Sequence, residues 1–492
     1  MNCRSHTAFS VRGIVNWKMR SRSHDPPSLF VTIYVTSGFP IIARMPKVSF
    51  FNPQTSLAST RAVRSANSPH PSMKNLGPSA ALLLGLTLVP SGFSAATERK
   101  DSLLPPDVYT APVPDRYLDE NRMFLCGPGI TISRGGRLWA TFKTGDIGED
   151  EDNCTVVITS GDRGETWSKP VLVVDIDGPV RTNDPGIWTD PNGKVTLMWG
   201  QVYGFWDGRG GYWTMTAENG DDENTRWSQP VRLSDGYTKN KPFITRDGTW
   251  LYLIEHFGPK TRRGRFARGQ PMEPELTFSL PELHHANVFA SSDQGRTLRF
   301  LSHARIPTTD QTFQEHMLVE KKDGTLWLLG RAKYGIGEAF SKDQGRTWTD
   351  LAPAKGIQGP SSRTFFRRLA SGNILLVKNG YDIDRPSPRT HMTAFLSEDD
   401  GATWPHRLLL DARATSYPDA VQDDAGTIHL VHDFERTGAK EVVFHRFTEA
   451  DIKAGKIVAD GSVLGRIANR AGHRTLNAKD YDRWKAERAT RP

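Results

Sequence analysis

The 492-residue chain is 37% hydrophobic, ample for a sizeable core, and its 44 Gly, 32 Pro and 13 Trp point to many short strands and tight turns. Its formal net charge of +8 resembles a nucleic-acid signal until it is located: in residues 1–72, nine basic side chains from Arg4 to Arg64 face one acid, Asp25, and they account for all of it. The remainder is close to neutral, which excludes a polyanion-binding surface, and no nucleic-acid partner is expected.

In chain order, the first segment with a function begins at Met73, in MKNLGPSAALLLGLTLVPSGFSAATE. Lys74 precedes an apolar run from Ala80 to Val89, and small residues follow at Ser94, Ala95 and Ala96. This is the three-part layout of a secretory signal, and the run is too short to span a bilayer. A buried core helix is the rival reading. A signal at 73–96 makes sense where translation starts at Met73, so residues 1–72 read as a mis-assigned upstream extension, expected to be disordered. The mature protein then begins near residue 97 with a linker to 119. It is expected to be secreted or periplasmic, monomeric and without a membrane span. Of the three cysteines, Cys126 and Cys154 lie in the mature part. Export permits a disulfide between them, and two free thiols fit equally well.

From residue 120 onward a repeat governs the chain. Six segments share an apolar stretch, a turn with Gly and a second apolar stretch: GPGITISRGGRLWATF, DPGIWTDPNGKVTLMW, KPFITRDGTWLYLI, EHMLVEKKDGTLWLL, SRTFFRRLASGNILLV and YPDAVQDDAGTIHLVH. The turn glycines are Gly136, Gly193, Gly248, Gly324, Gly372 and Gly426, spaced by 57, 55, 76, 48 and 54 residues. Gly after Asp, Asn or Ser between β-rich runs is hairpin chemistry, because such turns need positive φ. Between the hairpins fall four copies of S-x-D-x-G-x-T-W, at Ser160–Trp167, Ser291–Leu298 (with Leu for Trp), Ser341–Trp348 and Ser397–Trp404, and NTRWSQP around Trp227 reads as a decayed copy. The short Asp bonds the backbone of its own turn and the aromatic packs beneath it. A hairpin plus a strand pair per unit makes a four-stranded blade. The expected fold is therefore all-β, a six-bladed β-propeller of four-stranded antiparallel blades over residues 120–450. A jelly-roll sandwich is the rival, but it has no fixed period. Residues 451–492 read as a polar tail, partly helical, packed on the last blade or disordered.

The repeat also picks out a candidate site. Nine residues before the turn glycine, where each inner strand begins, stand Gly127, Asp184, Glu315, Arg363 and Tyr417. Lys241 holds the matching place in the third hairpin, which is two residues shorter. Inner strands start around the central axis on one face, so these residues are expected to line one pocket. Arg331, at the end of a second strand, and Asp152 and Arg389, at the starts of third strands, return to that face. The Asp-box aspartates Asp162, Asp293, Asp343 and Asp399 fall on the other face and are structural. His256, His284, His285 and His316 show no metal-ligand spacing, so neither metal nor cofactor is expected.

With these motifs the chain resembles the sialidase superfamily with Asp-box (BNR) repeats, over roughly residues 120–450. The resemblance implies a glycoside hydrolase acting on a glycan or glycoconjugate through a tyrosine nucleophile, because a carboxylate on the anomeric carbon repels an anionic one. It assigns Glu315 and Arg331 from EHMLVEKKDGTLWLLGR, Arg389 from PRTHMTAFLSEDDGATW, and the nucleophile Tyr417 from SYPDAVQDDAGTIHLVH. The acid/base is assigned to Asp152 in TGDIGEDEDNC, with Asp150 and Asp146 as neighbours. The family binds the substrate carboxylate with three arginines, but Cys126 stands where the first belongs. Arg122, Arg181, Arg363 and Lys241 are the candidates to supply that charge. The expected function is removal of a terminal acidic sugar, in the manner of an exo-sialidase. Alternatives are a glycosidase of different sugar specificity, a non-catalytic carbohydrate-binding propeller, and a propeller lyase or metal-dependent hydrolase.

Overall fold

The computed structural model describes residues 103–145, 148–149, 152–176, 180–203, 210–257 and 280–472, together with the backbone of two short strands upstream. The chain divides into two units, Met1–Ser91 and Gly92–Pro492. In the first, Val31–Tyr34 pairs antiparallel with Pro40–Ala43, so this stretch of the segment expected to be disordered carries a ladder. The rest of residues 1–72 and the signal-like segment at 73–96 lie outside the described residues.

The second unit is a six-bladed propeller of antiparallel sheets. Each blade runs from the axis outward. Its two inner strands are the hairpins read from the repeat, such as Met317–Glu320 with Leu326–Ala332 in blade 4 and Thr415–Gln422 with Ile428–Phe434 in blade 6. Blade 1 gains a fifth strand, Asp107–Thr110, paired outside Leu172–Asp175, so part of the expected linker belongs to the sheet. At the other end, the segment expected to be a tail supplies Val463–Arg470, the outer strand of blade 6. That segment does begin helically, at Glu449–Ala454, capped by Thr448 with Asp451 at its start and by Gly455 at its end. The strand escapes a reading by apolar pattern because it is an edge, with only Ala468 and Asn469 buried, and it ends in the exposed Arg470.

The core is divided among the seams between blades. Trp139, Val157 and Leu172 of blade 1 meet Leu197, Trp199 and Trp213 of blade 2. The ring closes where Val431, Val442 and Phe444 of blade 6 meet Leu138, Phe142 and Val156 of blade 1. Fully buried aromatics such as Trp139 and Trp199 each remove about 150–250 Å² from water, roughly 4–6 kcal/mol gross at about 25 cal/mol per Å².

All four full Asp-boxes form as expected. In the first, Asp162 accepts from Ser160 Oγ at 2.7 Å and from Thr166 N at 3.0 Å, while Ser160 Oγ accepts from Gly164 N at 2.9 Å. The box at Ser341 lies at the hairpin-tip end of its blade, since Ser341 pairs with Leu326 just after the Gly324 turn. Glu315 and Arg331 lie at the opposite end of the same strands.

Candidate active site

The register residues share a backbone device. Gly127, Asp184, Glu315 and Tyr417 have φ of +61°, +40°, +42° and +58°. In three of these strands the ladder is broken at this point, between Cys126 and Gly129, Asn183 and Gly186, and Ser416 and Asp419. A bulge re-aims a side chain that would otherwise alternate across the sheet, and a non-glycine residue held at positive φ costs of order 1–3 kcal/mol. Pro128, Pro185 and Pro418 sit within these breaks, where no ladder donor is required.

The outcome is a cluster centred on Tyr417. Its hydroxyl donates to Glu315 Oε1 at 2.5 Å, and Arg331 Nη1 donates to Glu315 Oε2 at 3.1 Å and reaches the Tyr417 oxygen at 3.4 Å. Arg331 Nε also donates to Ser361 Oγ at 3.1 Å, and Arg389 Nη2 donates to the Ser361 carbonyl. Tyr417 and Glu315 are buried, at 7% and 4% exposure. Burial first, then the Glu315 carboxylate, holds the Tyr417 phenol well above its ordinary range, with Arg331 and Arg436 pulling it down. The phenol is therefore neutral at rest and needs a base.

Beneath Glu315 lies Glu255, which was not anticipated. Its carboxyl accepts from the backbone N–H groups of Gln314 at 2.8 Å and Glu315 at 2.7 Å, fixing the strained turn that carries Glu315. Burial first, and then Glu315, pushes Glu255 far above the usual carboxylate range. The signal that could have found it is its offset: Glu255 stands seven residues after Gly248, just past the second strand Trp250–Ile254 of blade 3, as Arg331 stands seven after Gly324 in blade 4.

Not every candidate joins the cluster. Asp184 does: it accepts from Lys143 Nζ at 3.2 Å, and Lys143 also donates to Glu149 at 3.1 Å and Asn183 at 2.7 Å. Asp152 lies half-buried just before the strand Cys154–Ser160, on the same loop as Glu149, the acid that bonds Lys143. Asp150 and Asp146 lie outside the described residues. Arg363 is enclosed at 0% exposure, donating to Asn240 Oδ1 at 2.6 and 2.9 Å, to Asp419 at 3.2 Å and to the Pro418 carbonyl. Lys241 is buried against Asp419, and it bounds the small cavities of about 180 and 360 Å³ around Trp188 and Arg367, away from Tyr417. The expected pocket register for blade 3 is corrected accordingly. The ammonium beside Tyr417 is that of Lys239, 4.7 Å from the ring centroid. Lys239 stands nine residues before Gly248, so the unadjusted offset already pointed to it.

Of the arginines near Cys126, one keeps an open side and faces Tyr417. Arg122 and Arg181 are buried, at 1% and 0% exposure, and bond Asn469 and Asn153. Arg436, just beyond the second strand of blade 6, places its guanidinium 4.6 Å from the Tyr417 ring centroid. It donates to Asp433 at 3.2 Å and to Ser416 Oγ at 2.8 Å. Its side chain keeps 26% exposure, so it can meet a ligand. Its charge is also felt at Cys126, whose thiol burial pushes up to about 12 against the pull of Arg436 and Lys143. Cys126 and Cys154 are both buried, and no disulfide joins them.

Comparison with known proteins agrees with this architecture. The chain matches the BNR repeat-like domain family over residues 136–430. Among solved structures it is similar to the Hadza microbial sialidase Hz136, at 20% identity and a TM-score of 0.51 over 68% of this chain and 67% of that one. It is similar to the intramolecular trans-sialidase from Ruminococcus gnavus, at 13% identity and 0.51 over 71% and 98% of the two chains. The leech intramolecular trans-sialidase gives 12% and 0.52 over 71% of each. No curated protein sequence matches the chain. At such identities the structural likeness speaks to the fold. The chain belongs to the BNR repeat-like domain family and carries the propeller fold of the sialidase superfamily.

Proposed function

We propose that the chain is an exported glycoside hydrolase of sialidase type that releases a terminal acidic sugar. Tyr417 Oη attacks the anomeric carbon and its proton passes to the Glu315 carboxylate. The glycosidic C–O bond breaks as Asp152 gives its proton to the leaving oxygen. Water, giving a proton back to Asp152, then displaces the tyrosyl oxygen, which recovers its proton from Glu315. Arg331, Arg389 and Arg436 form the cationic wall that receives the substrate's carboxylate.

The observation that carries this reading is the 2.5 Å hydrogen bond from the Tyr417 phenol to Glu315, with Arg331 on the other carboxylate oxygen. Sugar binding alone has no use for a phenol wired to a buried base. The test is turnover of a panel of chromogenic glycosides, sialosides included, by the native chain and by Tyr417→Phe. Loss of activity by about 10³-fold or more in the variant is expected. Near-native turnover would remove the tyrosine mechanism, and binding of acidic sugars without any hydrolysis by the native chain would make the propeller a lectin.

A further inference from the structure

Among the described residues, Lys239 is the buried cation at the centre of the propeller whose ammonium lies over the ring of Tyr417. Lys239 precedes the short inner strand of blade 3 and is 3% exposed. Its Nζ donates to the Gly127 carbonyl at 2.9 Å and stands over the Tyr417 ring, 4.7 Å from the centroid. Gly127 makes room for it. A β-carbon there would lie 2.9 Å from Lys239 Nζ, 3.6 Å from Asp184 Oδ1 and 3.9 Å from Tyr417 Cδ1, and Gly127 also has φ +61°. Two blade ends, the glycine of blade 1 and the lysine of blade 3, thus cooperate to bring an ammonium to the ring of blade 6.

We propose that Lys239 is a positioning residue for Tyr417, whose ammonium, held over the ring, stabilises the phenoxide as the hydroxyl gives its proton to Glu315. The assignment rests on the glycosidase reading of Tyr417 for its purpose, but not for its measurement. A cation over an aromatic ring is attracted to its π face, and the attraction grows when the ring gains negative charge and water is excluded. Arg436, 4.6 Å from the same centroid, is a second cation on the ring, so the phenol works under two charges besides Arg331.

The charge on Lys239 is set by neighbours from four other blades. Burial first, and then Arg363 of blade 5, bring the ammonium down to about 8, opposed by Asp184 of blade 2, Cys126 of blade 1 and Glu315 of blade 4. Lys239 is therefore mostly charged at neutral pH and loses its charge as pH rises through about 8. Its help to the phenol is present below that value and lost above it.

The experiment places a fluorotyrosine at position 417 and follows its ionisation by fluorine NMR. It compares the native background with Lys239→Gln, which keeps a donor for the Gly127 carbonyl, and with Lys239→Met and Lys239→Arg. The native fluorine signal is expected to show a step near pH 8, as the ammonium over the ring loses its charge, and Lys239→Gln, Lys239→Met and Lys239→Arg are expected to lack it. Lys239→Arg, charged throughout, is expected to lower the phenol midpoint by about one pH unit. A step near pH 8 that persists in Lys239→Gln or Lys239→Met overturns the proposal. Should neither uncharged variant fold, the native background decides: its fluorine signal is expected to report a separate step near pH 8, and a single-step curve overturns the assignment. A Lys239-dependent step near pH 8 in a chain that hydrolyses no glycoside would leave Lys239 in place and remove the glycosidase reading instead. Where a substrate is turned over, Lys239→Gln should lower kcat about tenfold with KM nearly unchanged.

Discussion

At the scale of single residues, the site depends on which cations are left exposed. Arg122, Arg181 and Arg363 are enclosed, whereas the side chains of Arg331 and Arg436 keep 12% and 26% exposure. A guanidinium already matched by buried partners cannot turn to a ligand without leaving those partners unpaired. Arg436 is held by Asp433 and Ser416 yet retains an open side, which makes it the residue to test for charge selection. Arg436→Met is predicted to raise KM for an acidic glycoside by about 10- to 100-fold, one charged hydrogen-bonded contact, while KM for a neutral glycoside of the same aglycone stays within about twofold. Equal effects on both substrates would remove Arg436 from carboxylate recognition.

At the scale of the element, the Asp-box joins blades as well as closing a turn. Its glycine faces an aromatic of the preceding blade in two copies: Gly164 of blade 1 lies against Phe444 of blade 6, and Gly401 of blade 5 against Trp327 of blade 4. A β-carbon at Gly401 would lie 2.2 Å from Trp327 Cζ3, and the residue has φ +87°. Gly372, in a hairpin turn, has nearly the same φ of +88° but nothing within 4 Å of a β-carbon. Gly372→Ala therefore reports backbone strain alone, about 1 kcal/mol, and Gly401→Ala adds the overpacking, for about 2–4 kcal/mol in all. Urea unfolding of the two variants checks this, and equal losses would show that the box glycine is chosen for its φ and not for the seam.

At the scale of the whole molecule, the axis is tied by one carboxylate. Asp419 of blade 6 accepts from Ile130 N of blade 1 at 2.8 Å and from Arg363 of blade 5 at 3.2 Å, and it pairs with Lys241 of blade 3. It is 1% exposed, and although burial opposes its charge, Lys241 and Arg363 hold it below the usual carboxylate range. Removing one member of such a buried network leaves the others charged and unmatched. Asp419→Ala is predicted to cost about 3–5 kcal/mol of unfolding free energy, and adding Lys241→Met to recover part of it. A loss below about 1 kcal/mol in the single variant would show that the seam clusters alone close the ring.

The amino-acid sequence by itself determined the blade count, the hairpins and the Asp-boxes, because each is specified within about ten residues by turn glycines, short aspartates and β-rich runs. Through the repeat offset it also reached Tyr417, Glu315, Asp184, Arg331 and Arg389 as residues of one strand end. Tertiary structure decided the rest. Tyr417 and Glu315 meet across 102 residues, and only ring closure brings them within a hydrogen bond. Lys241 and Lys239 stand equally well at a strand start on paper. Blade 3 pairs its inner strand over only Phe243–Ile244, and in the closed ring Lys241 meets Asp419 while Lys239 meets Gly127 and Tyr417. Arg436 lies outside every repeat position, and it comes close to Cys126 and the Tyr417 ring because blade 6 folds beside blade 1. A repeat fixes where each strand begins, but which side chain faces the cavity depends on partners in other blades, and those contacts exist only once the ring has closed.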